Sequence, residues 1–580
     1  MEIQNTFQIQ WDKTPYQSFT DYFFAKISTH GSNLAIVDVD TGNQWRYSEI
    51  RGWCDTCIKH RFQVTSNSRV AVITSTSGQA VFVHLACALI GCPAVAVNGW
   101  STVDEMWHII DLSESTHLIV EAQFMTKADE VRRKAAMRGG GRIKQVRNID
   151  DVLSNDRIYN GMEELCEISS DVPTVLNPNV GHNPLLIFFT SGTTGLPKAA
   201  EFAHRSLMIN IQQMSLPLYG PVQPRERFLL PLSISHIFGA ISAYYALVNG
   251  AIVYMMSKAL PKALVENLSN LNIHVSHITP AMMMWLAMDD TLESLELNNL
   301  RSILIGGAPI DSNQANYVKR KMNLKDLRQT YGMTELGGLC TLPHYECDKI
   351  ESVGTPLPGM LFKIVNWDNK QLCPPRTPGR LLVHGPQVIP CYYKNPKATA
   401  ELLDANGYVK TGDVAFYDET GNIYVLDRIK DIIRHKGTLV YPSEIELILR
   451  SHPGIDDCAV VGRQDHVSGE VPAAFVVKSQ SHPLLASAEV RQHVAGKIPT
   501  FKELRGGVFF VTEIPRSICG KIVRKQMRQF WDRERANSKD IAVKNAKTGK
   551  FVGMSEKTHA KKANGSATPE KKYIGRSPRT

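Results

Sequence analysis

Several absences bound this 580-residue chain. It has no apolar run long enough to cross a bilayer. The most apolar stretch, Gln79–Asn98, contains His84 and breaks at Gly91-Cys92-Pro93 after about a dozen residues, too few for a span. It reads as a buried helix, a turn and a buried strand. The opening MEIQNTFQIQWDK has no basic region followed by an apolar one, so no secretory leader is expected. The ending Ser577-Pro578-Arg579-Thr580 is not a Ser-Lys-Leu-type peroxisomal address, and a cytoplasmic location is expected. The 11 cysteines have no framework spacing and are odd in number, which points to a reducing compartment. Cys54 and Cys57 form a CxxC, but the surrounding pattern is that of an amphipathic helix. Cys340, His344 and Cys347 lack a fourth zinc ligand at fixed spacing.

Charge is unevenly placed. Net charge is +9, yet residues 536–580 hold eleven Lys/Arg against three Asp/Glu, so residues 1–535 are near neutral. A nucleic-acid groove is therefore not expected to be the main business of the body. The tail should be disordered, with weak contact to an anionic membrane as its one suggested partner and a plain solvated tail as the alternative. With 43% hydrophobic and 21% charged residues, the rest has globular composition.

Strand-like runs alternate with helix-length segments from about residue 35 to 310: Arg69–Ile73, His117–Val120, Leu185–Thr190, Ala251–Tyr254 and Ser302–Ile305. This predicts an α/β chain with largely parallel sheets. Basic, Gly-containing Arg132–Lys144 reads as a solvated loop. Around 350–426 short strands separated by Gly, Pro and Asn predict a small antiparallel β unit, and 430–535 reads as a smaller α+β stretch. The fold class is thus α/β: a large N-terminal domain with sheets and a β unit, then a smaller α+β C-terminal domain. The expected boundaries are 1–429, 430–535 and a tail at 536–580.

The most informative segment is Leu185–Ala200, LLIFFTSGTTGLPKAA. An apolar strand runs into Thr190, Ser191, Gly192, Thr193, Thr194, Gly195 and, after Leu-Pro, Lys198. Glycines let backbone N–H groups approach phosphate oxygens, hydroxyls add donors and the lysine adds a cation. It is not a Walker A loop: Pro197 stands where the second glycine would be, and Ala199 follows the lysine. The bland alternative is a polar turn after a buried strand.

Taken with YGMTE (Tyr331–Glu335), TGD (Thr411–Asp413), DRIKDIIRHKG (Asp427–Gly437) and PRSICGKIVRK (Pro515–Lys525), this loop resembles the adenylate-forming enzymes: acyl-CoA synthetases, 4-coumarate–CoA ligases and beetle luciferases. The likeness covers roughly residues 15–530, with five motifs in family order. It implies activation of a carboxylic acid, fatty or aryl, by ATP to an acyl-adenylate, followed by transfer to CoA. Alternatives are a non-CoA acceptor (carrier protein, amine or luciferase-like chemistry) and a degenerate binding protein. Small-molecule acid, ATP and CoA are the implied partners, with Mg²⁺ as cofactor.

The resemblance also implies roles. The Ser191–Lys198 loop would hold the β- and γ-phosphates, and Glu335 would help place Mg²⁺. Gly306, Gly307, Ala308 and Pro309 would line the adenine side, with Gln329, Thr330, Tyr331 and Gly332 beside them and Tyr331 stacking on the base. Thr334 would lie near the α-phosphate; Asp413 and Arg428 would bind the ribose. Lys521 would bridge the attacking carboxylate and the α-phosphate. His236, in LPLSISHIFGA, would border the carboxylate pocket, and Trp285 the acyl tunnel. Lys430 would be the hinge of a mobile C-terminal domain; Lys258, Arg434, Lys436 and Gly437 would serve CoA. The chain departs from the family at Ala199 and Cys391 (glycines in relatives), Arg434 (lysine), Leu439 (glutamine) and Arg380 (glutamate). These leave adenylation intact and the thioester step less secure.

Overall fold

The structure is a computed structural model that describes residues 2–5, 15–60, 64, 68–137, 142–153, 180–190, 197–516 and 522–530. Two largely parallel sheets dominate its first 330 residues. One has the strand order Gln145–Asn148, His117–Val120, Val70–Thr74, Ala94–Asn98, Pro184–Phe189 and Ala199–Ala203, with only the last pair antiparallel. The other runs Asp326–Thr330, Ser302–Gly306, Val275–Ile278, Arg227–Leu230, Ile252–Met255, Leu34–Asp38 and Gln44–Arg46, again with only the edge pair antiparallel. Strands such as VAVIT and SILIG are buried throughout, as expected where both faces of a parallel sheet are covered.

The cover is partly shared. Helix Gly78–Leu89 packs on Val70–Thr74, Ala94–Asn98 and Pro184–Phe189 of one sheet and on Leu34–Asp38 of the other. Ten of its residues are buried, and all twelve of Ile237–Val248 are. Neither helix has a continuous polar face, because both are buried along nearly all of their length. Gln79–Asn98 accordingly folds as a helix, a turn and the strand Ala94–Asn98. Cys54 and Cys57 lie buried on helix Tyr47–His60. The expected loop at 132–144 is corrected in its first part: helix Met125–Met137 extends through Arg132, because Ala128, Val131 and Ala135 share a buried face.

An antiparallel sheet follows, in the order Ile3–Gln4, Leu361–Val365, Gly379–His384, Val409–Tyr417 and Ile423–Arg428. Its expected Gly- and Pro-punctuated strands are present; the N-terminal edge strand was not foreseen. Beyond it, Ile433–His435, Thr438–Val440, Ile455–Asp465, Gly469–Lys478 and Gly507–Phe510 form one more sheet, with helices Pro442–Arg450 and Ser487–Val494. It has its own apolar core, including Ile433, Leu449, Val460 and Val490. Met1–Met527 pack as one compact unit; of the second unit, Arg528–Thr580, only residues 528–530 are described. No described helix is long and apolar enough to cross a membrane.

Candidate active site

Five of the candidate positions lie just beyond, or at, the carboxyl ends of parallel strands. Thr190 follows Pro184–Phe189, His236 lies beyond Arg227–Leu230, and Lys258 lies beyond Ile252–Met255. Gly306 ends its strand, and Tyr331 follows Asp326–Thr330. Ligands of open parallel sheets bind at this edge, where strands stop and loops begin.

Tyr331 is the centre of one polar chain. Its hydroxyl donates to Asp413 Oδ2 at 2.5 Å, and Arg428 Nε lies 2.7 Å from Oδ1 of the same carboxylate. Asp413 and Arg428 are cross-strand partners in the antiparallel sheet, so backbone register sets their pairing. The Asp413 side chain is 4% exposed and that of Arg428 33%. The Asp413 charge is the main influence raising the Arg428 pKa; burial opposes it, and Tyr331 and Glu335 add to it. Burial, then the Asp413 charge, holds the Tyr331 phenol neutral well above its usual range. Thr411 supports the pair from below: its hydroxyl accepts from Asp413 N at 3.1 Å and donates to Leu381 O.

Glu335 begins a second chain. It sits in a short 3-10 turn, Thr334–Leu336, closed by Gly337 at φ +76°. A side chain at Gly337 would place Cβ 1.8 Å from the Gln387 carbonyl oxygen, so glycine is required there. Glu335 Oε1 accepts from the Tyr392 hydroxyl at 2.7 Å, and Lys198 Nζ lies 5.0 Å from the centre of the Tyr392 ring. Thr190 N donates to Lys198 O at 3.0 Å, and Lys198 N to the Thr190 hydroxyl at 3.3 Å. The two ends of the glycine-rich segment are thus tied together. Ser191, Gly192, Thr193, Thr194 and Gly195 lie outside the described residues, as does Lys521.

The remaining candidates divide. His236 caps helix Ile237–Val248, its Nδ1 accepting from Phe238 N at 3.3 Å. That turn is tight: Cβ on Gly239 would lie 2.1 Å from Ser233 O. Phe238 reaches Gly306, where an added Cβ would meet its ring at 3.0 Å. Gly307, Ala308 and Pro309 are exposed on the turn beyond, and Gly332 and Thr334 stand at the Tyr331–Glu335 segment. Gln329 and Thr330 are buried with their polar groups turned inward, to Ile350 O and Thr341 O. Lys258 is exposed over the Trp100 ring, with Nζ 4.9 Å from its centre. Arg434 is exposed within strand Ile433–His435, and Lys436 and Gly437 are exposed on the turn joining it to Thr438–Val440, in a different sheet from Asp413 and Arg428. Lys430 lies in the turn after strand Ile423–Arg428.

Tyr392 is the participant that sequence reasoning missed; the only signal was its place in PCYYKNP, where Cys391 alone drew notice. This segment runs beside the strand after the glycine-rich loop, through the Ala200–Tyr392 bridge. The Cys391 thiol donates to Glu201 Oε2 at 3.1 Å; burial, aided by that carboxylate, pushes it up to about 12, so it stays a thiol. Among the described residues, no three His, Cys, Asp or Glu side chains converge on a metal site. A divalent cation here would have Glu335 as its protein carboxylate and take further oxygens from a phosphate ligand, as Mg²⁺ commonly does.

Residues 23–393 match the AMP-binding enzyme family, and residues 444–521 its C-terminal domain. The chain is 28% identical over 480 residues to luciferin 4-monooxygenase of Photinus pyralis, covering 81% of this chain and 86% of that protein. It is 28% identical over 520 residues to 4-coumarate–CoA ligase 3 of Arabidopsis thaliana, covering 87% and 90%. A solved anthranilate–CoA ligase in complex with anthranoyl-AMP superposes with a TM-score of 0.79 at 19% identity, over 90% of this chain and 98% of that one, a likeness of fold. These relatives bear the names of aryl-acid ligases and luciferin enzymes, which gives no support to the fatty-acid branch of the expectation. With its family model spanning most of the large sheets and a second model on the C-terminal region, the chain belongs to the AMP-binding, adenylate-forming enzymes.

Proposed function

We propose that this enzyme activates a carboxylic acid, aryl rather than fatty, with ATP and then transfers the acyl group to CoA. A carboxylate oxygen attacks the α-phosphorus, the bond to the bridging oxygen breaks, and pyrophosphate leaves. The CoA sulfur then attacks the acyl carbonyl, and AMP leaves. The observation that carries the reading is the Tyr331–Asp413–Arg428 chain beside Glu335: a carboxylate acceptor and a guanidinium donor suited to ribose hydroxyls, next to a carboxylate suited to a phosphate-bound cation.

In this reading Lys198 and the Thr190–Gly195 segment receive the β- and γ-phosphates, Glu335 holds Mg²⁺, and Tyr331 stacks on adenine with Gly306–Pro309 alongside. His236 orients the acid. Lys521 neutralises charge between the carboxylate and the α-phosphate. Mg²⁺, when bound, draws charge from the leaving pyrophosphate. Residues 430–535 act as a mobile domain hinged at Lys430, presenting Lys521 for the first step and the Arg434–Gly437 turn, with Lys258, for the second.

The luciferin 4-monooxygenase likeness, equal in identity to that of the coumarate ligase, favours a second reading in which the adenylate meets a different acceptor. Pyrophosphate release with a panel of aryl and aliphatic acids, with and without CoA, separates the two. Release stimulated by CoA with an acyl-CoA product supports the first reading. Release indifferent to CoA supports the second. No release with any acid overturns both.

A further inference from the structure

The motif Pro515–Lys525 contains two arginines, and the structure gives them different settings. Pro515 O accepts from Val523 N at 2.8 Å and Arg516 bridges Ile522, so the chain before residue 517 and after residue 521 is drawn side by side. Arg516 Nη2 donates to both oxygens of Asp457, at 2.8 and 2.9 Å, with each side chain about 30% exposed. Arg524 is more enclosed. Its Nη2 donates to Glu446 Oε1 at 2.6 Å and its Nε to Val460 O at 3.2 Å. The same Glu446 oxygen accepts from Val460 N at 2.8 Å, and the Arg450 guanidinium lies 3.6 Å from the other. The Arg524 side chain is 11% exposed and that of Glu446 4%.

A single fork thus joins helix Pro442–Arg450, strand Ile455–Asp465 and the end of the motif. The first turn of that helix is in turn tied to the strand carrying Arg428. Ser443 N donates to Asp427 Oδ2 at 3.0 Å, and the Ser443 hydroxyl donates to Leu426 O at 2.8 Å. Burial raises the Asp427 carboxyl, and the Arg524 charge is the first influence against it. Removing an arginine and a carboxylate from water is costly, and the cost is offset here by the hydrogen bonds that Arg524 Nε and Nη2 donate and that Glu446 Oε1 accepts. A lysine concentrates its donors on one nitrogen and would not reproduce the two-nitrogen fork that meets the carboxylate and the carbonyl here.

We propose that Arg524, held by Glu446, is a positioning residue for adenylate formation: it anchors the Pro515–Lys525 motif to the helix that abuts the Asp427–Arg428 strand end, and so sets Lys521 relative to the nucleotide. This rests on the function proposed above. The test measures both half-reactions in the full-length enzyme for Lys521→Ala, Arg524→Gln, Arg524→Lys and the double variant Lys521→Ala/Arg524→Gln. Arg524→Gln should slow adenylate formation on the order of tenfold to a hundredfold in kcat, with little change in the KM for ATP. Conversion of supplied acyl-adenylate to thioester should persist. Arg524→Lys should recover only part of the loss, and the double variant should be no slower than Lys521→Ala. Glu446→Gln, which keeps the acceptor for Val460 N, replaces Arg524→Gln if the latter does not fold. An additive double variant, equal loss in both half-reactions, or no loss in Arg524→Gln would overturn the inference while Lys521→Ala still slowed adenylation. If Lys521→Ala itself left adenylation intact, the proposed function of Lys521 would fall first, and this inference with it.

Discussion

Tyr331 and Asp413 share a 2.5 Å hydrogen bond across 82 positions of sequence, with the Asp413 carboxylate accepting and Arg428 engaging its other oxygen. Both oxygens therefore have a protein donor before any nucleotide arrives. A ribose that uses this carboxylate must share it with Arg428 and replace or share the tyrosine hydroxyl.

Nucleotide affinity should separate the two residues. Asp413→Ala leaves the Tyr331 hydroxyl and the Arg428 guanidinium without their acceptor, a loss of about 1–3 kcal/mol, and should raise the KM for ATP roughly tenfold or more. Tyr331→Phe keeps the ring and removes only the competing donor, so its KM for ATP should stay within about threefold of the parent, close to one ordinary hydrogen bond. Initial-rate kinetics against ATP check both. An unchanged KM in folded Asp413→Ala would remove Asp413 from the ribose site.

Glu335 should govern the metal requirement. Glu335→Gln keeps an acceptor for the Tyr392 hydroxyl but removes the charge, so the fold should hold while the Mg²⁺ concentration for half-maximal pyrophosphate release rises. Titration of activity with Mg²⁺ at saturating ATP is the measurement. An unaltered Mg²⁺ curve with a large fall in kcat would place the carboxylate elsewhere in the mechanism.

Lys521→Ala should slow adenylate formation by about two to three orders of magnitude, the range for a lost transition-state contact. Supplied acyl-adenylate should still be converted to thioester at a rate near that of the parent. Equal losses in the two half-reactions would refute this division.

Acid sensitivity follows from three buried histidines. Burial lowers His84 and His204 to about 4 and His277 to about 3, from an ordinary 6.5. The unfolded chain then binds more protons than the native one between about pH 6.5 and 4. Stability is fully present above that window and falls as pH drops through it, by about 1–3 kcal/mol per histidine at pH 4. Asp38 acts in the opposite sense. Burial raises its carboxyl to about 7, so stability declines as pH climbs from its unfolded value toward 7. The histidines outnumber it, and a net loss toward acid is expected. His84→Gln retains a partner for the Tyr244 hydroxyl and should flatten the pH dependence of the urea midpoint below pH 6. An unchanged slope would mean that His84 is not among the groups responsible.

The sequence by itself determined the class of fold and the adenylate-forming family. Period and composition were enough for Gln79–Asn98 and for strands such as His117–Val120, because a stretch buried on all sides must be apolar on all sides. The glycine-rich loop, Tyr331–Glu335, Asp413 and Lys521 stood out as candidates because the family motifs place particular side chains in order along the chain. Tertiary structure alone decided which of them meet. Asp413 faces Arg428 because two antiparallel strands align in one register, and Tyr331 reaches that pair from the end of a parallel strand more than eighty residues earlier. It also recruited Tyr392, joined to Glu335 by a segment crossing that has no mark in local pattern. Arg524 shows the same limit most plainly. In GKIVRK it looks like any solvated cation; only the buried carboxylate of Glu446, brought from 78 positions away, makes it a structural anchor, since long-range pairing of charges in a dry interior leaves no local periodicity to read.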